Sequence, residues 1–323
     1  MKKSKKINLI VLIILLILSF ILLFCDLLFR DKNKTYQISV IASGKSNESF
    51  MILKEGAEQA ALEMNANIRF LFLSKDNNEE EQIELIKREC DNKVDALLIS
   101  PIETEDVAEV IEYAKKKIPV IIIQSSMNVK SNINRVMCDE YKLGQDLAKE
   151  TLNNISKNKS IMIITSNDDS ISHYERYNGI LNVLDQNNIN YFISNVEDYI
   201  DYTVLNNIIE ARNIGGIICV DREITENIAE LKKKSVSESN DNSNILILGV
   251  GNTNKIISLL EEKIINATAV QNEFNIGYIA VKNAIEVNNG ETVEKLKLIK
   301  STVIESDDMY SPKNERILFQ FVR

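Results

Sequence analysis

The chain has 323 residues, of which 45% are hydrophobic and 26% are charged, and its formal net charge is −9 at pH 7. This composition supplies enough apolar residues for two domains of ordinary size, and it excludes a disordered chain. The acidic balance also argues against nucleic acid as a partner, because a phosphate-binding surface needs a basic patch and the lysines here are dispersed among carboxylates.

The first element is an apolar run from Ile7 to Cys25, which four lysines precede. Its length is about what an α-helix needs to cross ~30 Å of hydrocarbon, and the lysines predict a cytoplasmic N-terminus. No small-residue cleavage site follows, and Phe24 stands where a lipidated Cys25 would need a small residue. We therefore predict that residues 1–30 form an uncleaved signal anchor, a single transmembrane helix, with the rest of the chain outside the cell membrane. Cleavage or lipidation at Cys25 remains the alternative.

Short apolar runs then alternate with helical patterns. Continuous Ile, Val and Leu without polar alternation indicate strands that are covered on both faces, hence a parallel sheet with helical crossovers. The sequence therefore predicts an α/β fold. The runs span residues 36–42, 68–73, 95–100, 119–124, 160–166, 190–196, 215–220 and 245–250.

An internal repeat connects two of these regions. In each, a strand ends at a serine (Ser43, Ser166), a polar loop follows, and a helix carries a glycine (Gly56, Gly179) 13 residues after the serine. A repeat of this length predicts two similar lobes built from βαβ units. We expect Gly56 to let its helix pack closely on the sheet. We expect Phe50, in the corner between loop and helix, to line a cleft between the lobes, with a place in the first lobe's core as the alternative.

Six stretches share the order and spacing of one known family: LKEGAEQAALEMNANIRFLFL, VDALLISPIETEDV, IPVIIIQ, CDEYKLGQ, ERYNGI and ATAVQNEFNIGYIAVKNAIEVNNGE. From about Tyr36 onward, the chain resembles the type I periplasmic binding proteins, in their ribose- and galactose-binding branch. The resemblance implies two Rossmann-like lobes with parallel sheets, joined by a three-strand hinge and closing over a small solute. It places the N-terminal lobe at 36–138 plus 272–302, and the C-terminal lobe at 139–271 plus 303–323.

The same resemblance implies a ligand site in the cleft, where aromatic rings stack on a sugar and polar groups bind its hydroxyls. Asn47 and Phe50 fall where the first helix contributes an amide and a ring. Asp221 follows a strand, and Gln271 falls near the third crossing. Asp139, in the CDEYKLGQ stretch, is a further candidate.

At other positions the chain departs from the family's pattern. Gln124 and Ser125 replace an aspartate and an arginine, Gly251 and Asn252 stand where an aspartate is expected, and Tyr174 replaces an arginine, although Arg176 remains. Charged side chains of this kind hold hydroxyls strongly. We therefore expect a sugar or sugar derivative that is either a neutral ligand held by amides and hydroxyls or one with fewer vicinal hydroxyls than a free pentose. The predicted ligand-binding residues are Asn47, Phe50, Gln124, Ser125, Asp139, Tyr174, Asp221, Asn252 and Gln271.

Several of these residues also have purely structural interpretations. Asp221 is suited to be the N-cap of the following helix. Gln124 and Ser125 can simply end a strand. Tyr174 and Arg176 can belong to a solvated helix face, and the chain's one histidine, His173, is expected in a solvated loop.

Three functions are consistent with this sequence. The first is an extracytoplasmic solute-binding protein that serves an ABC-type transporter, and the second is a ligand-sensing accessory protein of a membrane histidine kinase. The third is an enzyme on a doubly wound fold, which the absence of a catalytic set in the sequence makes the weakest. SGKS and GVGNTN each miss a required glycine of the phosphate-binding motifs, and the cysteines lack metal-site spacing, so we expect no cofactor or metal.

Overall fold

The computed structural model describes residues 13–21, 34–156, 158–166, 170–195, 202–237 and 245–319. Residues 13–21 are helical and belong to the predicted anchor, whereas residues 1–12 and 22–33 lie outside the described part. Within the described ranges, no helix combines the length and the apolar character that crossing a bilayer requires. The chain divides into two compact units, Met1–Tyr36 and Gln37–Arg323.

The second unit contains two lobes, each built on a sheet with six described strands. The first sheet comprises β1 (Tyr36–Ile41), β2 (Ala66–Leu71), β3 (Ala96–Ile99), β4 (Val120–Ile123), β5 (Asn134–Cys138) and β11 (Leu296–Ile299). The second comprises β6 (Ser160–Thr165), β7 (Tyr191–Asn195), β8 (Ile214–Cys219), β9 (Leu246–Val250), β10 (Ala267–Val270) and β12 (Thr302–Glu305). The spatial orders are β11-β5-β4-β3-β1-β2 and β12-β10-β9-β8-β6-β7.

Parallel pairing dominates both sheets, which confirms the α/β prediction. In the first sheet, β3 pairs parallel with β1 and with β4. In the second, β8 pairs parallel with β6 and with β9, and only the edge strand β12 runs antiparallel to its neighbour β10. Six of the eight apolar runs form the buried centres of these sheets, where helices cover both faces, whereas the runs at 68–73 and 190–196 form the partly exposed edge strands β2 and β7.

The helices connect the strands and cover the sheets. They are α1 (Glu48–Met64), α2 (Glu79–Asp91), α3 (Glu105–Lys115), α4 (Glu140–Asn154), α5 (Ile171–Gln186), α6 (Tyr202–Ala211), α7 (Arg222–Ser237), α8 (Asn254–Glu261), α9 (Glu273–Asn288) and α10 (Pro312–Leu318). Short polar side chains begin many of them. Asn47 starts α1, Thr104 starts α3 and Ser170 starts α5, each accepting a hydrogen bond from a backbone N–H three residues on.

Each lobe contains one pair of helices in very close contact, and the repeated glycines lie there. α1 packs on α9, and α4 packs on α5. A Cβ on Gly56 would lie 1.9 Å from the carbonyl oxygen of Phe274, and one on Gly179 would lie 2.1 Å from that of Tyr141. The expectation that Gly56 serves helix-to-sheet packing is therefore wrong: both glycines allow two helix backbones to approach each other.

Candidate ligand-binding cleft

Two neighbouring cavities lie at the carboxyl ends of strands from both sheets. Their volumes are about 750 Å³ and about 250 Å³, and Ser49 and Arg222 line both. The larger is lined by residues that follow β6, β8 and β9, namely Ser166, Asp221 and Gly251. The smaller is lined by residues that follow β1, β3 and β4, namely Ser43, Ser100 and Gln124. Ligands of open parallel sheets bind at this end of the strands.

Asp221 follows β8 and lines the larger cavity. Its Oδ1 lies 2.8 Å from Nδ1 of His173, its Oδ2 accepts a 2.6 Å hydrogen bond from Ser166, and Arg176 lies 3.8 Å away. Burial opposes ionisation of Asp221, but these hydrogen bonds and charges outweigh it and lower its pKa. Asp221 is therefore an ionised carboxylate whose oxygens are already held by protein groups.

His173 is buried, which corrects the expectation of a solvated loop. Ser170 caps α5, so the helix begins at Ile171 and His173 lies in its first turn. The side chain faces inward, with Nε2 2.8 Å from the hydroxyl of Thr165 and Nδ1 bonded to Asp221. The histidine thus fixes the orientation of Asp221.

Arg176 is a cavity residue that the sequence prediction left out of the site. Its Nε and Nη2 lie 2.9 and 2.8 Å from one oxygen of Glu140, and Nη1 donates to the carbonyl of Val220 at 2.7 Å. Gln271 donates to the other oxygen of Glu140. Arg176 is 8% exposed, so its placement on a solvated helix face is wrong, and Glu140 is 3% exposed; the pair is a buried, fully bonded scaffold between α4 and α5. One signal was available: Arg176 precedes buried Ile180 by one helical turn.

Two buried polar atoms that line the larger cavity are unpaired. Glu273 is 3% exposed; its Oε1 accepts a 2.7 Å bond from Ser49, whereas Oε2 has no partner among the described residues. Asn252 is 7% exposed, and its Nδ2 likewise finds no described partner. Burial raises the pKa of Glu273 to about 7. An unsatisfied buried group costs about 1–3 kcal/mol, so both atoms are suited to bind a ligand.

The smaller cavity contains three predicted residues. Phe50 is 6% exposed and meets Phe70 and Phe72 edge to face, at ring-centroid distances of 6.4 and 5.1 Å. It therefore belongs to the core of the first lobe while also lining the cavity. Asn47 caps α1 through a 2.9 Å bond from the N–H of Phe50, and Gln124 adopts a left-handed backbone with φ of 56°.

Three predicted residues lie outside both cavities. Ser125 is buried and donates a 2.5 Å bond to Glu103. Asp139 caps α4 through a 3.0 Å bond from the N–H of Lys142. Tyr174 is 64% exposed. Their part in ligand binding stays a prediction.

The cleft thus brings together six predicted residues and several that sequence reasoning missed. The predicted ones are Asn47, Phe50, Gln124, Asp221, Asn252 and Gln271, and the missed ones include Ser49, Ser166, Arg176, Arg222 and Glu273.

Comparison of the sequence with known protein families identifies the family of this fold. The periplasmic binding protein domain family matches residues 38–292, which is most of the chain. The protein therefore belongs to the periplasmic binding protein family.

Named relatives are distant but cover nearly the whole fold. The ribose import binding protein RbsB of Bacillus subtilis is 22% identical over 267 residues, 81% of this chain and 85% of that protein. A solute-binding protein of Actinobacillus succinogenes with bound D-allose has a TM-score of 0.76 at 20% identity, covering 84% of this chain and 98% of that one. The XylFII–LytSN complex gives a TM-score of 0.65 at 23% identity, covering 85% and 99%.

Proposed function

We propose that this protein is an extracytoplasmic solute-binding protein that captures a sugar or sugar derivative between its two lobes. The observation that carries the proposal is a polar cleft at the carboxyl ends of both sheets, in which buried Glu273 and Asn252 keep atoms unpaired among the described residues. A ligand rich in hydroxyls satisfies such atoms, because each hydroxyl both donates and accepts. The names of the relatives support the same class, since they include ribose import and structures with D-allose and D-arabinose.

The cleft is built for binding, and we propose no reaction. Catalysis by a general base needs a side chain that can reach a substrate proton. The only histidine of the sequence, His173, instead has both ring nitrogens within hydrogen-bond distance of Thr165 and Asp221. The transport relatives agree with a binding role.

Two partners are consistent with this role. The first is an ABC permease that accepts the captured sugar, which the ribose import relative supports. The second is a membrane histidine kinase that reads the liganded state. The XylFII–LytSN complex supports this candidate because, in it, a protein is named together with a second protein and the fold is similar to that of this chain. Crosslinking the full chain in its own cells, followed by identification of the bound protein, separates the two. A transporter subunit supports delivery, and a kinase supports sensing.

We also propose that residues 1–30 anchor the protein in the cell membrane. The support is the apolar run Ile7 to Cys25, of which the described residues 13–21 are helical. Protease added to intact cells from which the cell wall, and any outer membrane, has been removed should digest residues 34–319. Full protection of this part in intact cells, with digestion after lysis, would contradict the topology.

The function is tested by a thermal-shift screen of the full chain in detergent against pentoses, hexoses, polyols and nucleosides, with amino acids as a matched negative set. A sugar at 100 times its Kd should add about 2.7 kcal/mol to the free energy of unfolding. This corresponds to a rise in Tm of roughly 4 °C for a protein of this size. If no sugar raises Tm while an amino acid does, the proposed ligand class is wrong.

A further inference from the structure

Two charged side chains enter the cleft from different parts of the fold. Arg222 is the first residue of α7 in the C-terminal lobe, and Glu273 is the first residue of α9, which packs on α1 in the N-terminal lobe. Both line the larger cavity, and Arg222 also lines the smaller one. Neither belongs to the predicted set of ligand-binding residues.

The guanidinium of Arg222 is available for a ligand. The side chain is half-buried, and within the described part of the chain no hydrogen bond or ion pair holds it. Gly251 makes room for it: a Cβ at this position would lie 3.0 Å from Cγ of Arg222, and its φ of +120° disfavours other residues. Gly251, which stands where the family's pattern predicts an aspartate, thus leaves space for the guanidinium of Arg222 in the cavity.

The carboxyl group of Glu273 complements this guanidinium. Its Oε2 is buried and has no described partner, and Arg222 is near enough to lower the pKa of Glu273 against the dominant effect of burial. The two side chains still form no ion pair within the described residues. A group placed between them has to accept hydrogen bonds from one and donate to the other.

We propose that Arg222 and Glu273 together hold two adjacent hydroxyls of a neutral sugar, with Arg222 donating and Glu273 accepting, and that this pair rejects sugar acids. The inference rests on the proposed function and names the ligand class of the same cleft. A diol offers both acceptor and donor, whereas a carboxylate offers acceptors only, and above pH 7, where Glu273 is mostly ionised, neither carboxylate has a proton to share with the other.

The charge balance of the cavity favours the same class. Four cationic and four carboxyl side chains line the larger cavity, so their formal charges balance and favour a neutral ligand. The cations are Arg176, Arg222, Lys234 and Lys255, and the carboxyl side chains are Asp221, Glu223, Glu230 and Glu273. A sugar acid would add an uncompensated negative charge in a partly buried space, which is costly.

The test is calorimetric titration of the full chain in detergent at pH 8, above the pKa of Glu273, with D-ribose and D-galactose, and with D-ribonate and D-galacturonate as the corresponding acids. Arg222→Gln and Glu273→Gln should each weaken binding of the neutral sugar about 10- to 100-fold, the range for hydrogen bonds to charged groups. Wild-type protein should bind neither acid at concentrations that saturate the sugar. The controls Glu84→Gln and Lys87→Gln change exposed charges on α2 and should leave Kd unchanged.

The pH dependence of sugar affinity is a second measurement, and a purely structural role of Glu273 would not affect it. Affinity for the sugar should tighten by up to about tenfold from pH 6 to pH 8, because the carboxylate form of Glu273 accepts the hydroxyl, and Glu273→Gln should remove this slope. The groups facing Glu273 are Ser49 from α1, Glu140 from α4, Arg222 from α7 and Cys138 at the end of β5. A slope that survives in Glu273→Gln comes from another group and contradicts the assignment.

The outcomes separate this inference from the proposed function. If wild-type protein binds a neutral sugar and both variants, folded by their Tm, bind it equally well, the proposed function stands and the role of Arg222 and Glu273 is wrong. Tighter binding of an acid than of its neutral sugar also overturns the inference alone. If wild-type protein binds no sugar, both proposals fail.

Discussion

Glu140 and Glu273 occupy matching positions in the two lobes, but their environments differ. Each is the first residue of a helix that follows a crossing between sheets, and each precedes a close-packed glycine by four residues, Gly144 and Gly277. Glu140 is paired with Arg176, whereas Glu273 accepts a hydrogen bond from the hydroxyl of Ser49 and its Oε2 has no partner among the described residues. One carboxylate is therefore structural, and the other remains costly in the absence of ligand.

The cost at Glu273 is measurable as a pH-dependent stability. Burial raises its pKa from 4.5 to about 7 in the folded protein. Between these values the folded state holds a proton that the unfolded state has released, so stability falls as pH rises, and above the folded pKa the loss is complete at roughly 3 kcal/mol. Glu273→Gln should abolish this loss. Urea unfolding should show the variant more stable than wild type at pH 8 and equal to it near pH 4.5.

Glu84→Gln is the control for this prediction, because it removes a carboxyl group that is exposed to solvent. Its difference from wild type should stay within about 0.5 kcal/mol at both pH values. Equal stability of Glu273→Gln and wild type at pH 8 would mean that the carboxylate is compensated in the folded protein.

At the scale of elements, two close helix pairs position the cleft. α1 and α9 carry Ser49 and Glu273, and α4 and α5 carry Glu140 and Arg176. Because the glycines let these helices touch along their backbones, the side chains at their first turns are held at fixed distances. Packing of the helices and geometry of the site are thus linked.

Gly56→Ala should destabilise the protein by about 1–3 kcal/mol, the usual cost of overpacking. The added Cβ would lie 1.9 Å from the carbonyl oxygen of Phe274, so α1 and α9 have to separate, and the ~1 kcal/mol gain in helix propensity offsets only part of the strain. Chemical denaturation measures the change. Leu62→Ala, on the same helix but 81% exposed, is the control and should change stability by less than about 0.5 kcal/mol. An unchanged midpoint for Gly56→Ala would show that the helices separate without cost.

At the scale of the whole molecule, carboxylates of the first lobe bind helix N-termini of the second. Glu48 accepts a 2.8 Å bond from the N–H of Asn254 at the start of α8, and Glu103 accepts a 2.9 Å bond from that of Ile171 at the start of α5. The helix dipoles favour both contacts by about 0.3–1 kcal/mol each. Ser125 donates a hydrogen bond to the other carboxylate oxygen of Glu103.

Removing both contacts, as Glu48→Ala with Glu103→Ala, should shift the protein toward an open arrangement of its lobes. We expect a larger radius of gyration in solution scattering without ligand, contraction when sugar is added, and sugar affinity about 3- to 30-fold weaker, which corresponds to the two lost contacts. The double variant Glu84→Ala with Glu109→Ala removes two exposed carboxylates and is the control. Scattering curves and Kd values identical to those of wild type would contradict a role in closure.

The sequence alone determined the fold class and the end of the sheets at which the cleft lies. Continuous apolar runs identified the central strands, because strands covered on both faces leave no polar alternation. The strands β5, β10, β11 and β12 were missed. They are four or five residues long, and β11 alternates between exposed and half-buried positions, so their pairing depends on partners that are remote in the chain, as when β11 joins β5.

Only the tertiary structure decided which polar groups of the cleft are free. Asp221 was predicted correctly as a cleft residue, yet its oxygens are held by His173 and Ser166. Among the described residues, the unpaired groups include the side chains of Asn252, Glu273 and Arg222, and of these three the sequence singled out Asn252 alone. A local pattern indicates which residues end strands and begin helices. Whether a donor or acceptor finds a partner depends on side chains far away in sequence, as in the bond between Ser49 and Glu273, and the folded chain alone brings them together.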